Sequence, residues 1–226
     1  MEIQTIIYAA LGGLLPAILW AWFWNREDKL HPEPKRLIVL TFIAGMITVA
    51  LVIPLQKMAL AIFIHTNIVV IAWAAIEEAM KFAVAYFVVL GRREVDEPID
   101  PVIYMLTLAL GFAAAENTLF LIDPITNSSV LDSVLTGNFR FLGATLLHVL
   151  TSSVIGVAIA LSFWKDKFTK TVTITAGVIL SIALHGAFNF FILNGENGSL
   201  LHTFSFVWIG LIFLLLAFEK IKRLKK

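Results

Sequence analysis

Seven long apolar runs, separated by short polar segments, dominate the hydropathy pattern of the chain. Each run is close to the roughly 20 residues that an α-helix needs to cross the hydrocarbon core of a bilayer. Little sequence remains between them for a soluble domain. The pattern predicts an all-α, polytopic integral membrane protein with seven transmembrane helices in a single domain over residues 1–226. The predicted spans are 3–24, 37–63, 67–90, 101–121, 139–164, 170–193 and 201–218.

The composition supports a membrane protein and excludes several other classes. The 226 residues are 59% hydrophobic and 15% charged, whereas soluble domains are about 45–50% apolar and about 25% charged. The net charge is +1, so the chain lacks the basic surface that a nucleic-acid-binding protein needs. It contains no cysteine, which rules out disulfides, thiol nucleophiles and cysteine–metal sites.

The loops between the predicted spans alternate between basic and non-basic. Three segments, 64–66, 122–138 and 194–200, contain no Lys or Arg. Basic residues concentrate on the cytoplasmic side of membrane proteins. We therefore expect the N-terminus outside and the C-terminus in the cytoplasm. The segments that carry Lys or Arg are 25–36, 91–100, 165–169 and the tail after 218.

A few ionisable or amide side chains interrupt the otherwise apolar spans. Placing a charged residue at the centre of a membrane helix costs about 2.5–3.5 kcal/mol. Such groups must therefore be compensated by one another or by a bound ion, and we expect them to face the helix bundle. They are Glu77, Glu78 and Lys81 in the third span, Glu116 in the fourth, His148 in the fifth, and His185 with Asn189 in the sixth.

The depths of these groups indicate one shared site. Counted from the outer ends of their spans at about 1.5 Å per residue, Glu77, Glu116, His148 and His185 lie roughly 8–15 Å deep. Four helices that run in alternating directions thus place their polar groups in one layer. That layer falls in the outer half of a hydrocarbon core about 30 Å thick.

The charges in this layer leave two chemistries open. Lys81 lies three and four residues after the two adjacent glutamates, where it can pair with either of them. The remaining negative charge would be balanced by a divalent cation, and zinc accepts histidine nitrogen and carboxylate oxygen ligands. His148, His185 and one Glu would form such a set, with a second Glu as general base and Asn189 as an oxyanion donor. A protonated glutamic acid without a metal is the alternative.

Four motifs follow the order seen in a known family. EEAMK at 77–81 fits an EExxK pattern, FAAAEN at 112–117 fits FxxxE followed by Asn, and His148 and HGAFN at 185–189 fit two later His motifs. Their order, with one motif per helix, resembles the PrsW family of intramembrane proteases. That family is similar to a wider group that holds CaaX prenyl proteases and bacteriocin-processing enzymes. The polar segment DKLHPEP at 28–34 also resembles the family pattern.

The resemblance implies an intramembrane endopeptidase in the cell membrane of a bacterium or archaeon. Such a protease cleaves a membrane-anchored protein, typically an anti-sigma factor, near the outer face, so its partners are that substrate and the lipid bilayer. No motif identifies the substrate-binding residues. By resemblance, the catalytic residues are Glu77, Glu78, Glu116, His148, His185 and Asn189. Glu116, His148 and His185 would bind a divalent metal, with zinc as the candidate, or stabilise the oxyanion.

Two other functions are compatible with the same residues. One is a CaaX-like or bacteriocin-processing peptidase, whose site is expected to open toward the cytoplasm. The other is a carrier coupled to a cation or proton, which could use the same acidic layer. A carrier more often shows internal repeats or helices broken at the binding site, and no repeat is visible in this sequence.

Overall fold

The computed structural model describes residues 3–26, 32–127, 140–194 and 199–224. Within these ranges all regular structure is helical, so the predicted all-α class is confirmed. Two short π-helical segments, Tyr86–Leu90 and Arg140–Thr145, extend α-helices. The α-helices are α1 (Ile3–Asn25), α2 (Lys35–Ile62), α3 (Thr66–Ala85), α4 (Asp100–Asn127), α5 (Leu146–Leu161), α6 (Lys167–Asn194) and α7 (Ser199–Ile221).

Six of the seven α-helices in the described part of the chain are long and apolar enough to cross a membrane. The remaining helix, α3, continues through the segment Tyr86–Leu90 but carries Glu77, Glu78 and Lys81. The chain is therefore a multi-pass membrane protein. A seventh crossing by α3, and the outside position of the N-terminus, stay predictions.

Helix α4 continues beyond the fourth predicted span, 101–121, to Asn127, and it includes Pro124 in its last turns. Side-chain hydrogen bonds one turn apart support this extension: the Thr126 hydroxyl donates to the Ile122 carbonyl and the Asn127 amide donates to Asp123, both at 2.7 Å. A search for apolar runs alone does not detect helical turns that are made of polar residues. The rest of the predicted outer loop, 128–138, lies outside the described residues.

Helix α4 is the centre of the bundle. Its side chains from Asp100 to Ala114 are buried, and it packs against α1, α2 and α5. Two glycines bring α2 and α4 into backbone contact: a Cβ atom at Gly45 would overlap the Leu108 carbonyl, and one at Gly111 would overlap the Phe42 carbonyl. Small residues at such positions let membrane helices approach closely.

Five helices enclose the polar layer. In contact order they are α2, α3, α6, α5 and α4, which closes the ring by packing on α2. Helix α1 packs on α4 and α7 packs on α5. Each helix that carries a predicted site residue is therefore a member of this ring.

Polar contacts fix the helix ends away from this layer. Asp166 caps α6: its carboxylate accepts the Thr169 hydroxyl and the backbone N–H groups of Thr169 and Phe168. These hydrogen bonds, the Thr169 hydroxyl foremost, lower the pKa of Asp166 below its usual range. At the start of α4, the Tyr104 hydroxyl donates to Glu33. Of the 28–34 motif, residues 28–31 lie outside the described ranges.

Candidate active site

The structure brings the predicted ionisable residues together inside the five-helix ring. Glu116 of α4 is the most accessible of five of these residues, with 17% of its side chain exposed, against 0–5% for the other four. The buried ones are Glu77 and Lys81 of α3, His148 of α5 and His185 of α6. Residues distant in sequence thus form one buried polar cluster, as the depth count predicts.

Glu78 is held by a saturated set of donors from three helices. Its two oxygens accept five hydrogen bonds of 2.8–3.1 Å, and the residue is 0% exposed. A buried carboxylate needs such partners because its desolvation is costly. Glu78 therefore anchors α3 to α5 and α6. The donors are Lys81, Thr151, Ser152, Ser181 and His185.

The two histidines have matching arrangements. Nδ1 of His185 lies 2.8 Å from Glu78 Oε1, and Nε2 of His148 lies 3.0 Å from Glu116 Oε2. Because an ionised carboxylate only accepts hydrogen bonds, each of these nitrogens carries the proton. The other ring nitrogens therefore carry lone pairs. Both face Glu77 Oε2, at 3.7 Å for His185 Nε2 and 3.9 Å for His148 Nδ1. The Lys81 ammonium lies 2.8 Å from His148 Nδ1 and engages its lone pair, so a metal bound to this nitrogen would displace the ammonium.

Glu77 has one oxygen that makes no hydrogen bond among the described residues and faces these ring nitrogens. Its Oε1 accepts a hydrogen bond of 2.9 Å from the Gln56 amide. Its Oε2 is buried and has no hydrogen-bond partner among the described residues. Lys81 Nζ lies 3.7 Å from this oxygen, an ion pair that offsets part of the cost of about 1–3 kcal/mol for a buried polar atom without a hydrogen bond. A bound cation would offset it further. The ligand atoms of Glu77, His148 and His185 all lie within 4.8 Å of one another.

This donor set suits a transition metal. Two imidazole nitrogens and one carboxylate oxygen are a common protein contribution to a catalytic zinc site, where a fourth position is left for water. Each histidine is also oriented by a carboxylate on its far nitrogen, as metal-bound histidines usually are. Glu116 contacts His148 from the outside of the three-residue cluster.

A cavity of about 630 Å³ opens onto the cluster. Glu77, Glu116, His148, His185 and Asn189 all line it. Most of the remaining wall is apolar, so the cavity suits an apolar polypeptide segment. Its aromatic side chains are Trp73, Phe112, Phe120, Phe188 and Phe204.

One polar residue at the cavity was missed by the sequence analysis. Gln56 of α2 lines the cavity and contacts Glu77 directly. It lies roughly 10 Å from the outer end of the second predicted span at about 1.5 Å per residue, which is the depth of the other site residues. The same depth count, applied to amides as well as ionisable groups, would have found it.

The comparisons with known proteins agree with this geometry. Residues 33–217 match the sequence model described as PrsW family intramembrane metalloprotease. The chain belongs to the PrsW family. It is thus an intramembrane metalloprotease, and the metal implied by the family fits the cluster of Glu77, His148 and His185.

Bacterial relatives of this PrsW-family chain match over most of their length. Protease PrsW of Geobacillus kaustophilus is 25% identical over 95% of this chain and 90% of its own. Protease PrsW of Oceanobacillus iheyensis is 28% identical over 85% of this chain and 86% of its own. Protease PrsW of Bacillus subtilis is 22% identical over 88% of this chain and 91% of its own. No solved structure matches significantly.

Proposed function

We propose that this PrsW-family protease cleaves a membrane-anchored protein, such as an anti-sigma factor, near the outer face of the membrane. The observation that carries the proposal is the buried Glu77–His148–His185 cluster on the wall of a largely apolar cavity. The cavity lies toward the helix ends joined by segments without Lys or Arg, which are the predicted outer ends. A substrate segment leaving the bilayer on that side would meet the cluster.

We propose that Glu77, His148 and His185 hold a divalent metal, with zinc as the candidate. The motif resemblance placed Glu116 with the two histidines. The contacts favour Glu77 instead, because its Oε2, which makes no hydrogen bond among the described residues, faces a ring nitrogen of each histidine. When bound, the metal supplies Lewis-acid polarisation of the scissile carbonyl and activation of a water molecule.

Glu116 is then the general base. It lines the cavity, and its partial exposure allows a water molecule to reach it. It takes a proton from the attacking water and delivers it to the leaving amine. The N–H group of His148 holds one of its oxygens in place, at 3.0 Å. In this proposal Glu77 is a metal ligand and Glu116 is the general base.

Asn189 is proposed as the oxyanion donor. It lies one helical turn after His185 on α6, is half-buried, and lines the same cavity. A fixed amide N–H aimed at a developing negative charge contributes strongly to acyl-transfer catalysis. Glu78, which the resemblance placed among the catalytic residues, lies behind the cavity wall and is proposed to orient His185.

The test is cleavage by purified, detergent-solubilised protein of single-span membrane peptides with short outer segments. Wild type is compared with Glu77→Gln, His185→Ala and the exposed control Glu219→Gln. We expect cleavage by wild type and the control only, with loss in a chelator and recovery on adding zinc. Cleavage that survives in Glu77→Gln and His185→Ala would refute the assigned site.

The carrier alternative gains no support at the site. Helices broken around the binding position were expected for a carrier. In the described part of the chain, α3, α4 and α6 run unbroken past Glu77, Glu116 and His185. His148 lies on α5, three residues after the π-helical segment Arg140–Thr145, and the chain stays helical through this junction. The family match likewise identifies a protease.

A further inference from the structure

We propose that Gln56 is a positioning residue for the metal site: its amide holds Glu77 so that one carboxylate oxygen faces the two histidines. This inference rests on the proposed metal-binding role of Glu77. Gln56 belongs to none of the four sequence motifs and lies on α2, which carries no other residue of the cluster.

The contact between the two side chains has a defined direction. The side-chain nitrogen of Gln56 lies 2.9 Å from Glu77 Oε1. An ionised carboxylate oxygen only accepts, so the amide N–H is the donor. Oε1 is thereby engaged, and Oε2 is left without a hydrogen bond in the described structure, facing the lone pairs of His148 and His185.

Gln56 is itself held in place. The indole Nε1–H of Trp73 donates to the backbone carbonyl of Gln56 at 3.0 Å. Trp73 lies one turn before Glu77 on α3, so the hydrogen bonds run from α3 to α2 and back to α3. This closed link fixes the distance between the Gln56 backbone and Glu77. A carboxylate terminal torsion is otherwise broad, so without the link the Glu77 carboxylate could rotate away from the histidines.

Outer contacts of this kind tune metal affinity. Loss of a hydrogen-bonding partner behind a metal ligand typically costs about 10–100-fold in metal affinity or activity. We expect Gln56→Leu, which keeps the side-chain bulk but lacks the donor, to weaken zinc binding by that factor. We expect Gln56→Asn to behave like Gln56→Leu, because its amide is one methylene too short to reach Glu77.

In the experiment, zinc alone is titrated into purified metal-free protein, and calorimetry measures the binding affinity. Wild type, Gln56→Leu and Gln56→Asn are compared with Met58→Leu, an exposed α2 residue close by. Melting temperature and size-exclusion profile check that each variant is folded. Wild-type affinity in both Gln56 variants would overturn the proposal.

Kinetics separate positioning from direct substrate contact, since Gln56 also lines the cavity. Loss of a positioning residue should lower kcat at limiting zinc with KM unchanged, and excess zinc should restore kcat. A raised KM with kcat and zinc affinity unchanged would make Gln56 a substrate contact and refute the proposal. If wild type itself bound no zinc, the proposed metal site would fail, and this inference with it.

A smaller change supplies an independent check. Trp73→Phe keeps an aromatic ring but removes the donor to Gln56. We expect zinc binding to weaken in the same direction as in Gln56→Leu but by less, because Gln56 stays in place. A larger loss than in Gln56→Leu would contradict the proposed order of contacts.

Discussion

The ammonium nitrogen of Lys81 lies 2.8 Å from His148 Nδ1 and 2.8 Å from Glu78 Oε1. It also lies 4.3 Å from the ring centre of Phe112. In this structure one fully buried cation therefore compensates a buried carboxylate and engages the His148 lone pair. Binding of the proposed metal to His148 Nδ1 would displace the ammonium from that nitrogen, while its contact with Glu78 could remain. The counter-ion role predicted for Lys81 from its spacing matches these contacts.

Removing the Lys81 ammonium should destabilise the protein. Lys81→Met leaves Glu78 as a buried charge without its cation, and breaking a buried pair costs about 3–5 kcal/mol. The double variant Lys81→Met/Glu78→Gln should regain part of this loss, because the unpaired charge is gone. The free energy of unfolding in a detergent–SDS titration measures both. Equal stability of the single variant and wild type would contradict a compensating role.

The two cavity-facing glutamates should separate into a ligand and a base. Glu77→Gln should weaken zinc binding by more than the about 10–100-fold expected for an outer partner, because a carboxylate ligand is lost. Glu116→Gln should lower kcat by about 10²–10⁴-fold with little change in zinc affinity, since its amide oxygen still accepts from His148. Calorimetry and peptide cleavage together give both values. If Glu116→Gln weakened zinc binding and Glu77→Gln lowered only kcat, Glu116 would be the metal ligand, as the motif resemblance implied.

Glu78→Gln should act through His185. A neutral amide cannot accept all five hydrogen bonds that the Glu78 carboxylate receives. Zinc affinity should fall by about 10–100-fold, and cleavage should recover when zinc is in excess. Cleavage that stays absent at saturating zinc, in a folded protein, would instead support a chemical role for Glu78.

Close packing of α2 on α4 should be needed for stability. Gly111→Val would push a side chain into the Phe42 backbone, and overpacking typically costs about 1–3 kcal/mol. The matched control is Gly91→Ala, where the nearest atom to a new Cβ is at 3.7 Å. Thermal unfolding in detergent should separate the two variants. Equal melting temperatures of the two variants would show that the α2–α4 interface accommodates the new side chain without loss of stability, which would contradict the prediction.

The predicted crossing of α3 can be tested because the chain contains no native cysteine. Ile64, before α3, and Arg93, after it, are both exposed. An impermeant thiol reagent added to intact cells should label Ile64→Cys, and should label Arg93→Cys only after permeabilisation. Labelling of both without permeabilisation would show that α3 does not cross, and labelling of Arg93→Cys alone would reverse the orientation.

The sequence by itself determined the helical membrane class and the candidate residues. Long apolar runs have few alternatives to helices in a bilayer, because every backbone polar group must be satisfied internally. Ionisable groups within those runs are costly enough to mark a site, which is why Glu77, Glu116, His148 and His185 stood out. The pairing of Lys81 with the two glutamates of α3 could also be predicted, because residues three and four positions apart are neighbours on a helix.

Only the tertiary structure decided which atoms of those residues meet. Contacts between different helices decide which oxygen of Glu77 lacks a hydrogen bond and which nitrogen of His148 carries a lone pair. They also decide which amide holds Glu77. Depth along a helix places side chains in a layer but does not say which atoms meet. Gln56 shows the difference: a depth count places its amide in the polar layer, but its hydrogen bond to Glu77 follows only from how α2 packs on α3.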